Sequence, residues 1–495
     1  MLKIKCLINY GFAMMFVMVL PFIAVSCSES DDEQNLSIES SSISKDAILR
    51  FTSRDDIQDA VNSDDIGKTR ASVVDGATTK TIQSGGIISL TDKVRPDDPL
   101  LNEISEEEKQ IIIDEDMTYY DLYGCEDYIP SLGFAKLLNS KCELQLNDSV
   151  YKITEFGALR AQKADAANLE IAYDKIKLDT TLAMKDEDFV PIVKGVELHP
   201  YKEMPQLTDN DITVPTTRST ASDIPTNNFK HYTTKSKTVL GKILGTIFGN
   251  RSVKHDEFME KHRVNGSLYS YNYLVYYETG CFVSMSKKRG GFFKFINGWK
   301  DIKADELFMQ YKGIVLELNV DMPQALTPPS TTAKPVVADN YSDISIQGLD
   351  NVIHRTVDIF GYNIQERDLY KYIGKGSKQL FDLLKRNLGN PERLDQLFKD
   401  GSVPAARIIT PNKVYIIIAD DTFNPQNTKK IRKVFNSGVK LVFSYHSGTS
   451  AWKTVLNSLK DTQKMPVKKL IGGEVLLAGK LNGQWGGMYI TQNKQ

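Results

Sequence analysis

Cys142-Glu143-Leu144-Gln145-Leu146-Asn147-Asp148-Ser149-Val150-Tyr151-Lys152-Ile153 alternates apolar and polar side chains on either side of an Asn-Asp bend. Successive side chains of an extended chain point to opposite faces, so this period of two predicts a β-hairpin with one face buried. The run Tyr128-Ile129-Pro130-Ser131-Leu132-Gly133-Phe134-Ala135-Lys136-Leu137-Leu138-Asn139 leads into it, and Glu103 to Asp116 upstream is acidic. Residues 99–204 therefore read as a small α+β module.

On the C-terminal side, residues 205–228 carry three prolines and read as a linker. Residues 229–322 read as a mainly antiparallel β domain, with strands at Glu257 to Val264, Ser267 to Tyr277, Cys281 to Lys288 and Gly313 to Val320. Pro328-Pro329 and Lys334-Pro335 mark a second linker over 323–344. Residues 345–495 read as an α/β domain. Ser377 to Leu388 and Pro391 to Phe398 have helical spacing, and Lys413 to Ala419 is a strand-length apolar run. A helix over Thr428 to Phe435, a strand over Val439 to Tyr445 and a helix over Ala451 to Leu459 would complete a βαβ unit. Glu474 to Ile490, with Gly483, Gly486 and Gly487, predicts a closing hairpin.

The N-terminal 98 residues differ in character. Lys3 and Lys5 precede an uncharged, apolar stretch from Leu7 to Val25, the pattern of a secretory signal, and Pro21 would break a regular spanning helix. Ala24-Val25-Ser26-Cys27 follows. It resembles the lipobox of bacterial lipoproteins, which implies a signal peptide over 1–26 and acylation of Cys27, although Ala24 stands where that family usually has leucine. Ser28-Glu29-Ser30-Asp31-Asp32-Glu33 resembles the acidic export signal of Bacteroidetes surface lipoproteins. The stretch Phe134 to Gly157 is similar to a segment of lipoproteins from that lineage, for which no catalytic residues are known. The resemblance implies an outer-membrane, outward-facing, lipid-anchored protein. Residues 27–98 read as an acidic tether with one helix, Asp46 to Val61, capped within Ser53 to Asp56.

The whole is thus expected to be α+β and multidomain: a lipidated tether, a small α+β module, an antiparallel β domain and a C-terminal α/β domain. A length of 495 residues, 41% hydrophobic content and a net charge of −2 exclude disordered, collagenous and multi-spanning classes. The net charge hides a division. Residues 27–227 hold 20 Lys or Arg against 40 Asp or Glu, and residues 228–495 hold 39 against 23. Such a division docks one half on the other, serves solubility alone, or attracts an anionic partner to the basic half.

Residues 229–312 interleave sixteen aromatic residues with cations, so Lys287, Lys288, Arg289, Lys294 and Trp299 are candidate binding residues for an anionic glycan or lipopolysaccharide. Nucleic acid is not the expected partner, and the sequence does not specify an oligomeric state. The basic amphipathic segment 238–248 offers an alternative, a membrane-active effector. A hydrolase is the other, with Asp420, Asp421 and His446 at the ends of parallel strands. No nucleophile elbow, HExxH helix, P-loop or dinucleotide fingerprint occurs in the sequence. No cofactor or metal is expected, since the six histidines are scattered and no CxxC is present. Cys125, Cys142 and Cys281 would remain after processing, with Cys125 and Cys142 the expected disulfide pair.

Overall fold

The computed structural model describes residues 47–62, 72–75, 78–81, 88–185, 187, 189–201, 206–208, 224–235, 253–290, 298–319, 336–341, 345–347, 355–360, 405–409, 413–438 and 467–493. It is a mixed α+β protein, rich in strands, with three sheets among the described residues. The hairpin at Cys142 to Ile153 forms as expected. Glu143–Leu146 pairs antiparallel with Ser149–Thr154 through a two-residue turn. Asn147 takes a left-handed conformation there (φ 52°), which asparagine tolerates because its short side chain bonds locally.

This hairpin lies in an eight-stranded sheet. In chain order its elements are β1 (Leu49–Phe51), α1 (Arg54–Asn62), β2 (Ser72–Asp75), β3 (Thr78–Thr81), α2 (Glu106–Asp114), α3 (Tyr119–Leu122), α4 (Leu132–Ala135), β4 (Glu143–Leu146), β5 (Ser149–Thr154), β6 (Gly157–Gln162), α5 (Asn168–Leu178), β7 (Val190–Val193) and β8 (Val196–Pro200). The strand order is β3-β2-β1-β4-β5-β6-β8-β7. Leu169, Ala172 and Ile176 recur at helical spacing and bury α5 against Leu159, Val190 and Leu198.

The expected helix over Asp46 to Val61 is two elements. Leu49 and Phe51 point inward on alternate residues, and this part becomes β1, paired parallel with β4. The helix begins where its cap does. The Ser53 hydroxyl accepts the Asp56 amide at 3.1 Å, and the Asp56 carboxylate accepts the Ser53 amide at 3.0 Å. Ile88, Leu90 and Val94 also lie in the core with Met117 and Tyr120. The segment read as tether thus supplies both a central strand and core side chains.

The remaining strands are β9 (Gln206–Thr208), β10 (Lys230–Lys235), β11 (Lys254–Met259), β12 (His262–Asn272), β13 (Tyr277–Lys288), β14 (Trp299–Ile302), β15 (Ala304–Asn319), β16 (Val336–Tyr341), β17 (Ser345–Gln347), β18 (Arg355–Phe360), β19 (Ala405–Ile409), β20 (Lys413–Ile418), β21 (Asp421–Phe423), β22 (Gln426–Thr428), β23 (Lys430–Gly438), β24 (Val467–Leu481) and β25 (Gln484–Asn493). Strands β11, β12, β13, β14, β17 and β23 make a six-stranded antiparallel sheet. An eleven-stranded sheet is built around β15, β24 and β25. The second expected linker, 323–344, contributes β16 to its edge.

Two expectations for the last 150 residues meet different outcomes. The closing hairpin forms, with Leu481 opposite Gln484 across an Asn482-Gly483 turn, both residues left-handed. The βαβ unit does not form through Thr428 to Phe435, where a helix was expected and β23 lies instead. Ile431, Val434 and Phe435 fit helical spacing, so the local pattern is ambiguous. The strand prevails because β13 and β17 take up its two edges. β20 is flanked by β15 and β19, both antiparallel to it. Ser377 to Leu388, Pro391 to Phe398, Val439 to Tyr445 and Ala451 to Leu459 lie outside the described residues.

Residues 43–495 form one unit by their contacts. The six-stranded sheet is the middle layer. Its alternating register sends Val264, Leu268, Cys281, Val283, Met285, Ile431 and Phe435 into a core shared with Leu307, Met309, Leu477 and Met488 of the eleven-stranded sheet. The opposite face carries Tyr269, Tyr271 and Phe282 into a core shared with Phe51, Ile129, Phe134 and Leu144 of the N-terminal module.

Candidate functional site

The face of the six-stranded sheet turned toward the N-terminal module is polar as well as aromatic. Cross-strand register places Asn265 opposite Ser284, Ser286 opposite Asp301, Ser284 opposite Lys430 and Phe282 opposite Arg432. A connected network follows. His255 Nδ1 lies 2.9 Å from Asn265 Oδ1, the Asn265 amide donates to the hydroxyls of Ser284 (3.1 Å) and Ser286, and Ser286 donates to Asp301 at 3.2 Å. Lys430 continues it, 3.5 Å from Asp301 and in an ion pair with Glu126 of the N-terminal module.

Charge is unevenly held along this network. Burial raises the Asp301 carboxyl, and Lys430 only partly offsets that. Burial alone would raise Glu126 too, but Lys430 outweighs it and holds the carboxyl low. Arg432 is buried across the ring of Phe282, 5.5 Å from its centroid, with Tyr120 beside it. Nearby, buried Glu278 accepts the hydroxyls of Tyr269 (2.6 Å) and Tyr276 (3.0 Å). Burial would lower the Arg432 guanidinium, but Tyr120, Tyr269, Glu278 and Glu126 together raise it.

A second contact lies at the far end of β13. Glu115, just after α2, meets Arg289 through both carboxylate oxygens and Lys300 at 3.1 Å. Burial would raise the Glu115 carboxyl, but the two cations hold it below the usual range. Acidic residues of the first half therefore pair with cations of the second at two separate places, which is the docking arrangement that the charge division allowed.

The candidate binding residues divide accordingly. Arg289 is engaged by Glu115 and also donates to the Trp299 carbonyl at 2.7 Å. The Trp299 ring is covered by the Arg263 guanidinium, 4.1 Å from its centroid. Lys287 and Lys288 are exposed at the end of β13. Lys294 lies outside the described residues, as do Cys27 and the segment 238–248.

Asp420 and Asp421 follow β20, where antiparallel neighbours replace the expected parallel strand ends. Asp420 accepts the Gly313 amide at 2.8 Å, and Asp421 accepts the Thr422 amide at 2.8 Å and the Tyr311 hydroxyl at 3.4 Å. These contacts tie the start of β21 to β15. His446 lies outside the described residues. No group of three or more His, Cys, Asp or Glu side chains with metal-holding geometry occurs among the described residues.

Cys125 and Cys142 are both buried and carry free thiols on either side of the Tyr128 hydroxyl, 3.3 Å and 4.0 Å away. Sequence reasoning brought these two together but missed Glu115, Glu126, Asp301, Lys430 and Arg432. The signal for them was the charge imbalance, which named two halves without naming pairs. Comparisons with protein-family models, curated proteins and solved structures find no match.

Proposed function

We propose that this chain is a lipid-anchored lipoprotein of the outer membrane, facing outward, whose folded part acts by binding or as a structural element. The ligand class is an anionic envelope component, an acidic glycan or lipopolysaccharide. The carrying observation is the exposure of Lys287 and Lys288 beside Arg289 and Lys300, whose charges Glu115 offsets. Two cations are thus presented at one end of a sheet whose neighbouring cations are paired. The lipobox at Ala24 to Cys27 and the acids that follow it support the anchoring.

Two measurements test the reading. Cys27→Ala should shift the protein from the membrane to the soluble fraction, and unchanged retention refutes the anchor. The full chain in detergent should bind lipopolysaccharide or acidic glycans in a salt-sensitive way. Lys287→Glu with Lys288→Glu should weaken that binding about tenfold or more, as expected when two cations that face anions are reversed. Equal binding by the variant refutes the patch.

A further inference from the structure

The short turn from Cys125 to Ile129 makes three polar contacts with the six-stranded sheet. Glu126 meets Lys430, the Asp127 carbonyl accepts the Tyr271 hydroxyl at 2.6 Å, and the Tyr128 carbonyl accepts that of Tyr273 at 3.0 Å. The turn enters through Gly124, which is left-handed (φ 62°). Its first residue, Cys125, is fully buried, and its sulfur shares the Tyr128 hydroxyl with that of Cys142, the residue before β4.

Cys142 is itself left-handed (φ 63°), a conformation that a non-glycine residue adopts only when its surroundings impose it. The backbone there is held on both sides, since the Cys142 amide donates to the Asn139 carbonyl and the Cys142 carbonyl accepts the Ile153 amide, each at 2.9 Å. Its thiol is thereby fixed in the core of the module, next to that of Cys125.

We propose that Cys125 and Cys142 are a disulfide-forming site, and that the bond fastens the turn by which the N-terminal module docks on the six-stranded sheet. The two thiols differ in reactivity. The Cys142 thiol is held low by its contact with Cys125 and by nearby Lys152 against the effect of burial, whereas burial pushes the Cys125 thiol up. The exchange can begin at the Cys142 sulfur. Its thiolate displaces one sulfur of an external disulfide, either oxidised glutathione or a dithiol-disulfide oxidoreductase, to give a mixed disulfide. The Cys125 sulfur then attacks Cys142 Sγ and releases the second oxidant thiol. The oxidant takes up two electrons, and the two Sγ protons leave with its thiols or to solvent. The resulting bond ties the docking turn to the first strand of the central hairpin.

The test uses the full chain equilibrated in glutathione buffers from reducing to oxidising, alkylated under denaturing conditions, digested and mapped by mass spectrometry. At the oxidising end a peptide pair joined through Cys125 and Cys142 is expected, with Cys281 alkylated at both ends. Alkylation of Cys125 and Cys142 throughout, or their linkage to any other cysteine, overturns the site. Cys281→Ala should give the same linked pair, and its loss in that variant likewise overturns the assignment. Amide hydrogen exchange tests the fastening. Exchange across 125–129 should slow by about tenfold or more on oxidation, because closing the loop restricts the open states of this turn. Equal rates in the two end states overturn the fastening role.

Discussion

Glu126 and Lys430 come from opposite halves of the chain and form an ion pair on the polar face of the central sheet. Lys430 also has Asp301 at 3.5 Å, so its charge is shared between two carboxyls. Burial would lower the Lys430 amine, but these two partners raise it. The pair is partly enclosed, and its net worth depends on what each partner is left with when the other is removed.

Glu126→Gln is expected to destabilise the protein by about 2 kcal/mol in denaturant unfolding, because Lys430 keeps only Asp301. Adding Lys430→Met should recover a large part of that loss. A double-mutant cycle with coupling indistinguishable from zero would show that the contact contributes nothing to docking.

The Glu115 contact predicts an acid limb. Its folded carboxyl lies below its unfolded value, so the unfolded state binds more protons as the pH drops. The stability it contributes is present above the ordinary glutamate range and is lost as the pH falls through the folded value. Unfolding free energies measured between pH 6 and pH 3 should therefore decline less steeply in Glu115→Gln than in the parent. Parallel curves contradict this.

Lys433 gives the opposite slope. It is buried (1% exposed) in the core between the six-stranded and eleven-stranded sheets, with the rings of Tyr311 and Phe423 5.8 Å and 5.7 Å away. Burial, partly offset by Asp421, lowers its amine to about 8. Between that value and the unfolded one the unfolded chain binds more protons, so this group adds stability as the pH rises through that window and none below it. Lys433→Met should stabilise the protein by roughly 2–3 kcal/mol at pH 7, with the gain shrinking toward pH 10. A destabilised variant at pH 7 would mean that the amine makes a favourable contact there.

Gly486 in β25 is required by packing. A Cβ on it would meet the Phe258 ring at 2.3 Å and Phe258 Cβ at 2.5 Å, too close for the ring to swing aside. Gly486→Ala should cost about 1–3 kcal/mol, and Phe258→Leu should restore part of it. Full stability in the single variant would show that β11 can move away from β25.

The hairpins were legible because their signals are local. Alternation around Asn147-Asp148 and around Asn482-Gly483 states both the strand period and the turn. The Ser53 to Asp56 cap was legible for the same reason, and it marks where the helix starts even though the residues before it form β1. Thr428 to Phe435 was misread because its apolar residues satisfy two periods at once, and only the vacant edges of β13 and β17 decide between them. The polar network could not be read at all. Asn265, Ser284, Asp301, Lys430 and Glu126 are distant in sequence and become neighbours through strand register, which the sequence states only after the strands are paired. Asp420 and Asp421 were given a role by an assumed parallel sheet, and the antiparallel one turns them to fixing the start of β21.

The position of β24 and β25 has a kinetic consequence. β24 pairs with β15 along most of its length, and β25 pairs in parallel with β10. The largest sheet therefore cannot be completed until residues 467–493 have been synthesised, because β24 and β25 join β15 to β10. Contacts of such long sequence separation form slowly. The eight-stranded sheet, whose strands all lie between Leu49 and Pro200, does not wait for them, so the two ends of the chain differ in when their sheets can close.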